Sequence, residues 1–169
     1  MNYELIINST STEVVLALLK NKQLIELHKE KHDNDFSVGD VYVGKVRKVI
    51  PSLNAAFVNV GYEKDAFLHY LDLGPQYRSM NGYVQKTLKG KQPSGSLASS
   101  KIEADIDKHG KIKDILSSSQ LIAVQIAKEP ISSKGPRLTA EVTLAGRFVV
   151  LVPFSNKISI SQKIKDPEE

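Results

Sequence analysis

The sequence contains no cysteine. That excludes a disulfide framework and a thiolate metal site, and it gives no sign of an oxidising compartment. Long hydrophobic runs are missing as well. The stretch 148–152 is among the longest, far short of the ~20 residues a membrane helix needs. Residues 1–7 lack the basic start and extended apolar stretch of a secretion signal. The expectation is a cytoplasmic chain without a membrane partner. Lys134-Gly135-Pro136 lacks the upstream glycine of a phosphate-cradling loop, and no serine stands in a G-x-S-x-G elbow. No internal repeat is present.

A strong charge of one sign is also absent, since the net charge over 169 residues is +4. Its distribution is uneven. Residues 75–113 hold eight cations (Arg78, Lys86, Lys89, Lys91, Lys101, Lys108, Lys111, Lys113) against three acids, a local net of +5 that leaves −1 for the remainder. A basic segment in a near-neutral body suits contact with a polyanion, because each neutralised phosphate releases counterions. A solvated loop is the other reading open at this point.

Short apolar runs at 3–8, 13–19 and 23–28 are separated by Ser9-Thr10-Ser11-Thr12 and Asn21-Lys22, a pattern of antiparallel strands joined by tight turns. Val14-Val15 favour a strand, while 16–20 tolerates a helix. The charged patch 29–35 reads as a linker closing this first unit. From Gly39 the runs are short and β-branched, at 41–50, 55–60 and 66–70. A stretch rich in Gly, Ser, Lys and Gln follows over 74–111 and is expected to be a flexible insertion. A further strand is expected at 121–126. Four or five short strands with one insertion predict a mainly β chain built on a five-stranded OB-type barrel. Further strand-like runs lie between 137 and 164.

Side chains alternate across a strand, so two faces separate by eye. Ala56, Val58 and Val60 share an apolar face, as do Ala66, Leu68 and Tyr70, and Tyr42, Gly44 and Val46. The opposite faces carry Phe57 and Asn59, Phe67 and His69, and Lys45 and Arg47. Two outward phenylalanines flanked by cations are what single-stranded nucleic acid requires, since bases stack on rings and cations follow phosphates. Phenylalanine is usually core, so burial of both rings beneath the insertion or a neighbouring domain is the competing reading.

Val38-Gly39-Asp40, Gly44-Lys45-Val46, Ala56-Phe57-Val58 and Ala66-Phe67-Leu68-His69 resemble the S1 RNA-binding domain in order and spacing. The run 51–68 (PSLNAAFVNVGYEKDAFL) is more narrowly similar to the ribonuclease E/G family of bacterial endoribonucleases. ELIINST, 112–116, VQIAKE, Lys134-Gly135, Leu138-Thr139, 143–146 and Ile160-Ser161 agree with it, so that the resemblance spans nearly the whole chain outside the insertion.

The resemblance implies three parts. Residues 1–36 are part of an RNase H-like subdomain, 37–128 an S1 domain with its insertion at about 74–111, and 129–169 the start of a 5′-sensor α/β subdomain. It implies single-stranded RNA, 5′-monophosphorylated RNA included, as partner in rRNA processing and mRNA decay. Phe57, Phe67 and Lys134 match RNA-contacting positions, and Gly146 and Val150 match positions lining the 5′-monophosphate pocket. The catalytic Mg²⁺-binding aspartates and the zinc-binding cysteines that link subunits are expected downstream. This stretch alone is therefore expected to be a non-catalytic monomer without cofactors, within an oligomeric hydrolase. Gln162-Lys163 departs from the paired arginines frequent in the family. A stand-alone S1 protein of translation or decay is the alternative function.

Two other groupings bring titratable side chains together in the sequence. Glu103, Asp105 and Asp107 alternate and could present three carboxylates together, as hydrolytic metal sites do, but Lys101, Lys108 and Lys111 stand beside them. His28 and His32 are spaced i, i+4 in the charged linker, without a cysteine to complete a zinc site.

Overall fold

The computed structural model describes residues 2–31, 36–91, 97, 100–146, 149–156 and 159–160, the last two as backbone. The chain divides into two compact units, Met1–Asp35 and Phe36–Glu169.

The first unit is an antiparallel meander of β1 (Tyr3–Ser9), β2 (Glu13–Lys20) and β3 (Gln23–Lys31). Asn21 and Lys22 both take positive φ, 50° and 68°, between the paired residues Lys20 and Gln23. Such a two-residue loop carries the right-handed twist from strand to strand. The helical alternative for 16–20 does not form, because every residue there is paired with β1. β3 also runs further than expected. Lys29, Glu30 and Lys31 pair with Val15, Val14 and Glu13, and Lys29 Nζ lies 2.8 Å from the Glu13 carboxylate. The linker reading thus fails for 29–31, while 32–35 with His32 lie outside the described residues.

The second unit is built on a closed barrel, in the order β4 (Val41–Ile50), β5 (Ala55–Asn59), β6 (Ala66–His69), β8 (Arg137–Thr139) and β7 (Leu121–Lys128). Neighbours are antiparallel except β6 and β8, which run parallel. The fold is mainly β and OB-type, as the strand count predicted. Its fifth strand lies beyond residue 128, so the barrel extends into the part read as the start of the next subdomain.

The inward faces predicted by alternation form the core. Val46, Ala56, Val58, Ala66, Leu68, Ile122, Val124, Ile126 and Leu138 are all buried there, with Tyr42 packed partly against them. β4 turns into β5 through the short 3-10 helix Pro51–Leu53, which ends at Asn54 with φ 47°, a left-handed conformation that asparagine tolerates.

The insertion departs from the flexible stretch expected. Helix α1 (Tyr77–Leu88) lies between β6 and β7, with Tyr77, Ser79 and Val84 buried. Tyr77 and Ile106 enter the barrel core. The return segment is tied down by hydrogen bonds from Glu103 N to Ser79 Oγ (2.9 Å) and Ile106 N to Pro75 O (2.9 Å). The Tyr70 hydroxyl donates to Asp107 O. Asn54 closes the loop, its Oδ1 accepting from Ile112 N (2.6 Å) and its Nδ2 donating to Gly110 O (3.2 Å).

Beyond β8 a small antiparallel sheet forms from β9 (Leu144–Ala145), β10 (Val149–Leu151) and β11 (Ser159–Ile160). Buried Gln125 holds its entry. Gln125 Nε2 donates to Gly39 O (2.8 Å) and Thr143 O (2.9 Å), and Oε1 accepts from Thr143 N (2.9 Å).

Candidate nucleic-acid interface

On the outer face of the barrel, register decides which side chains meet. Phe57 lies opposite Phe67, and both are half-buried and outside the core. Their rings pack edge to face, with centroids 5.9 Å apart and planes 70° apart. Each ring thus props the other while leaving surface open. On β4, Lys48 is the residue opposite Phe57, because a bulge lies between Val46 and Lys48. Arg47 is the extra, unpaired residue of that bulge, exposed at the same point. On the other side, Phe67 lies opposite Arg137, which lies opposite Lys128 across a second bulge. Directly opposed residues on one face have Cβ atoms about 4.5–5.5 Å apart. The outer face therefore carries a continuous row: Lys48, Phe57, Phe67, Arg137, Lys128.

The cations of this row differ. Arg137 is held by Asp72, with Nε and Nη2 at 3.2 and 2.9 Å from Asp72 Oδ2, so its guanidinium is oriented and partly neutralised. Among the described residues Lys48 has no ion-pair partner. One step along the strands, exposed Lys45 and Asn59 face each other. Asn59 Oδ1 accepts from Gly61 N (3.0 Å), which leaves its Nδ2 free to donate. His69 stands two residues beyond Phe67, and its Nδ1 accepts from Leu71 N (3.2 Å). In the neutral ring that bond places the proton on Nε2.

Exposed Lys134 is the last residue of a tight turn closed by its own amide on Ile131 O (3.0 Å). Its neighbours fix its place: Phe67 N donates to Pro136 O (2.9 Å), two residues further on. Gly135 fits only without a side chain, since a Cβ there would come within 2.4 Å of Asp65 O and 2.9 Å of Lys64 O. Lys134 is thereby anchored beside β6, next to the Phe67 position in the row.

Gly146 and Val150 belong to the β9–β10 hairpin, where Gly146 N donates to Val149 O (2.8 Å) and Val150 pairs with Ala145. Gln162-Lys163 lies outside the described residues. The acidic trio does not converge on a common point. Glu103 pairs with Lys101 at 2.7 Å, and this bond holds its carboxyl below the usual range. Asp107 accepts from His109 N (2.8 Å), and Asp105 is exposed. Exposed His28 lies 3.6 Å from Glu26. Among the described residues no three His, Asp or Glu side chains are placed to hold a metal ion, and no helix is long and apolar enough to cross a membrane.

Lys48, Arg137 and Lys128 were not among the residues singled out from sequence. Strict alternation counts straight through a bulge and so selects Arg47 in place of Lys48. A three-residue strand in parallel pairing carries no periodic signal for Arg137.

No family model matches the chain. Curated relatives do. Ribonuclease G of Haemophilus influenzae is 34% identical over 166 residues, which is 98% of this chain and 30% of that protein. Ribonuclease G of Escherichia coli K12 is 31% identical over 169 residues, 100% of this chain and 31% of the relative. Ribonuclease E of Synechocystis is 35% identical over 133 residues, 78% of this chain and 16% of the relative. The chain thus spans under a third of the length of the ribonucleases G it matches.

Proposed function

Because the chain belongs to the ribonuclease E/G family, we propose that its barrel is an S1 module that holds single-stranded RNA for an endoribonuclease of RNA processing and decay. The observation that carries this reading is the row Lys48, Phe57, Phe67, Arg137, Lys128, two propped aromatic rings between cations on one open face. Successive bases stack on Phe57 and Phe67, each worth about 1–3 kcal/mol. Lys48, Lys45 and Lys134 follow the phosphates. The Asn59 Nδ2 and His69 Nε2 donors reach base edges or ribose hydroxyls, the groups by which RNA is told from DNA. Arg137, oriented by Asp72, supplies a planar cation at the row's end.

In this reading the β9–β10 hairpin with Gly146 and Val150 forms one wall of a 5′-monophosphate pocket, and no residue of the chain is assigned to cleavage. The Mg²⁺ and zinc that the resemblance implies find no donor set among the described residues.

The test is a titration of the chain with a short oligouridylate, followed by NMR. The ring signals of Phe57, Phe67 and His69 are expected to shift together and to saturate. A saturating response elsewhere, with these three unmoved, would overturn the assignment.

A further inference from the structure

We propose that helix α1 is a second RNA-contacting element, which continues the path of the strand off the barrel along its outward face. The inference rests on the RNA-binding reading above and adds a surface that reading does not use.

The barrel's outer face runs directly to the helix. From Phe57 it passes to Asn59 two residues along β5, across to Lys45 on β4 and to Leu121 on β7, each opposite the next. Leu121 O accepts a hydrogen bond from Gln85 Nε2 of α1 at 2.8 Å. Two strand crossings and one dipeptide step amount to a path of about 16 Å, short enough to be spanned by the roughly 4–16 nucleotides that one such barrel covers.

Arg78, Gly82, Lys86 and Lys89 fall on the helix side away from Tyr77 and Val84, bordered by buried Ser79 on one edge and by Gln85, which turns toward β7, on the other. Arg78, Lys86 and Lys89 are exposed, and among the described residues none has an ion-pair partner. Two features of this face work against the helix itself. A cation in the first turn, as at Arg78, opposes the helix dipole, and no acidic residue stands in that turn to offset it. A helix-interior glycine weakens a helix, yet a Cβ added at Gly82 would meet no described atom within 4 Å. Packing among the described residues therefore explains neither residue. Both are accounted for by a polyanion lying along the face, with its backbone close over Gly82 and cations one turn to either side. Two acids, Glu103 and Asp114, border the hollow beside Arg78 and Gly82; Glu103 is already paired with Lys101.

The test compares fluorescein-labelled oligouridylates of about 4 and about 16 nucleotides, the limits of a single barrel's footprint. The triple variant Arg78→Gln, Lys86→Gln, Lys89→Gln is expected to bind the long oligomer about 10- to 100-fold more weakly at 0.1 M salt, with a salt slope shallower by about 2. The short oligomer is expected to bind within about twofold of the unsubstituted chain, because it can be held by the barrel alone. Gly82→Leu is expected to weaken long-oligomer binding selectively while the melting temperature holds or rises. Equal losses for both lengths would reduce the helix to a general positive field and overturn the proposal. So would an unchanged triple variant when Phe57→Ala still loses binding. Failure of the unsubstituted chain to bind either oligomer would overturn the RNA-binding reading and this inference with it.

Discussion

The bulge in β4 makes a prediction that separates register from simple alternation. Lys48, not Arg47, is the partner of Phe57 in the ladder, and among the described residues it has no competing carboxylate. A cation that neutralises one phosphate of a single strand contributes about −0.7 to the slope of log affinity against log salt. Lys48→Gln should therefore make that slope shallower by about 0.7, so that the affinity lost between 50 and 200 mM salt falls by a factor of about 2.6. Arg137→Gln should change the slope less, because its guanidinium is already held by Asp72 at 2.9 Å. The assay is fluorescence anisotropy with a labelled oligouridylate at several salt concentrations, with circular dichroism to show that each variant is folded. An unchanged slope for Lys48→Gln, with the full loss appearing in Arg47→Gln, would refute the register argument.

Three further outcomes concern the frame that holds this face. Asn54→Ala removes both hydrogen bonds that tie the insertion to the β4–β5 turn. It should cost on the order of 2 kcal/mol in urea unfolding and speed amide exchange over 105–115. Gly135→Ala forces a methyl against Asp65 O and should destabilise by about 1–3 kcal/mol, weakening RNA binding as Pro136 and Phe67 shift. Burial holds the Tyr77 phenol well above its ordinary value, against the opposing hydrogen bond from Gln120 Nε2 (3.1 Å). The folded state thus favours the neutral phenol, and the unfolded chain ionises first, near pH 10. Stability from this group is complete below that pH and is lost as pH rises above it. Tyr77→Phe should be less stable near neutrality yet lose less stability than the parent above about pH 10, measured by urea melts.

How far the fold was legible depended on how local each signal was. Ala56, Val58, Ala66 and Leu68 alternate cleanly against Phe57 and Phe67, because a half-buried strand writes its two faces into the sequence with period two. The meander was legible for the same reason, and Asn21-Lys22 marked its tight turn. Helix α1 was not, because Ser79, Asn81, Gly82, Gln85 and Lys86 dilute an apolar spacing of Tyr77, Met80, Val84 and Leu88 that is nonetheless helical. Its stability comes from tertiary packing of Tyr77 and Val84 rather than from propensity. β8 was hidden because three residues in parallel register depend on a partner some seventy residues away. The site shared this division: Phe57, Phe67, His69 and Asn59 follow from alternation, while Lys48 and Arg137 follow only from bulge and pairing.

The most direct test is the affinity of the chain for a single-stranded oligouridylate after Phe57→Ala and, separately, Phe67→Ala. Each ring is half-buried, so each variant should remain folded while losing one stacking platform and the edge contact of its neighbour. The expected loss is about 5- to 150-fold for each, the equivalent of about 1–3 kcal/mol. Folded variants that bind with the affinity of the parent chain would contradict the account.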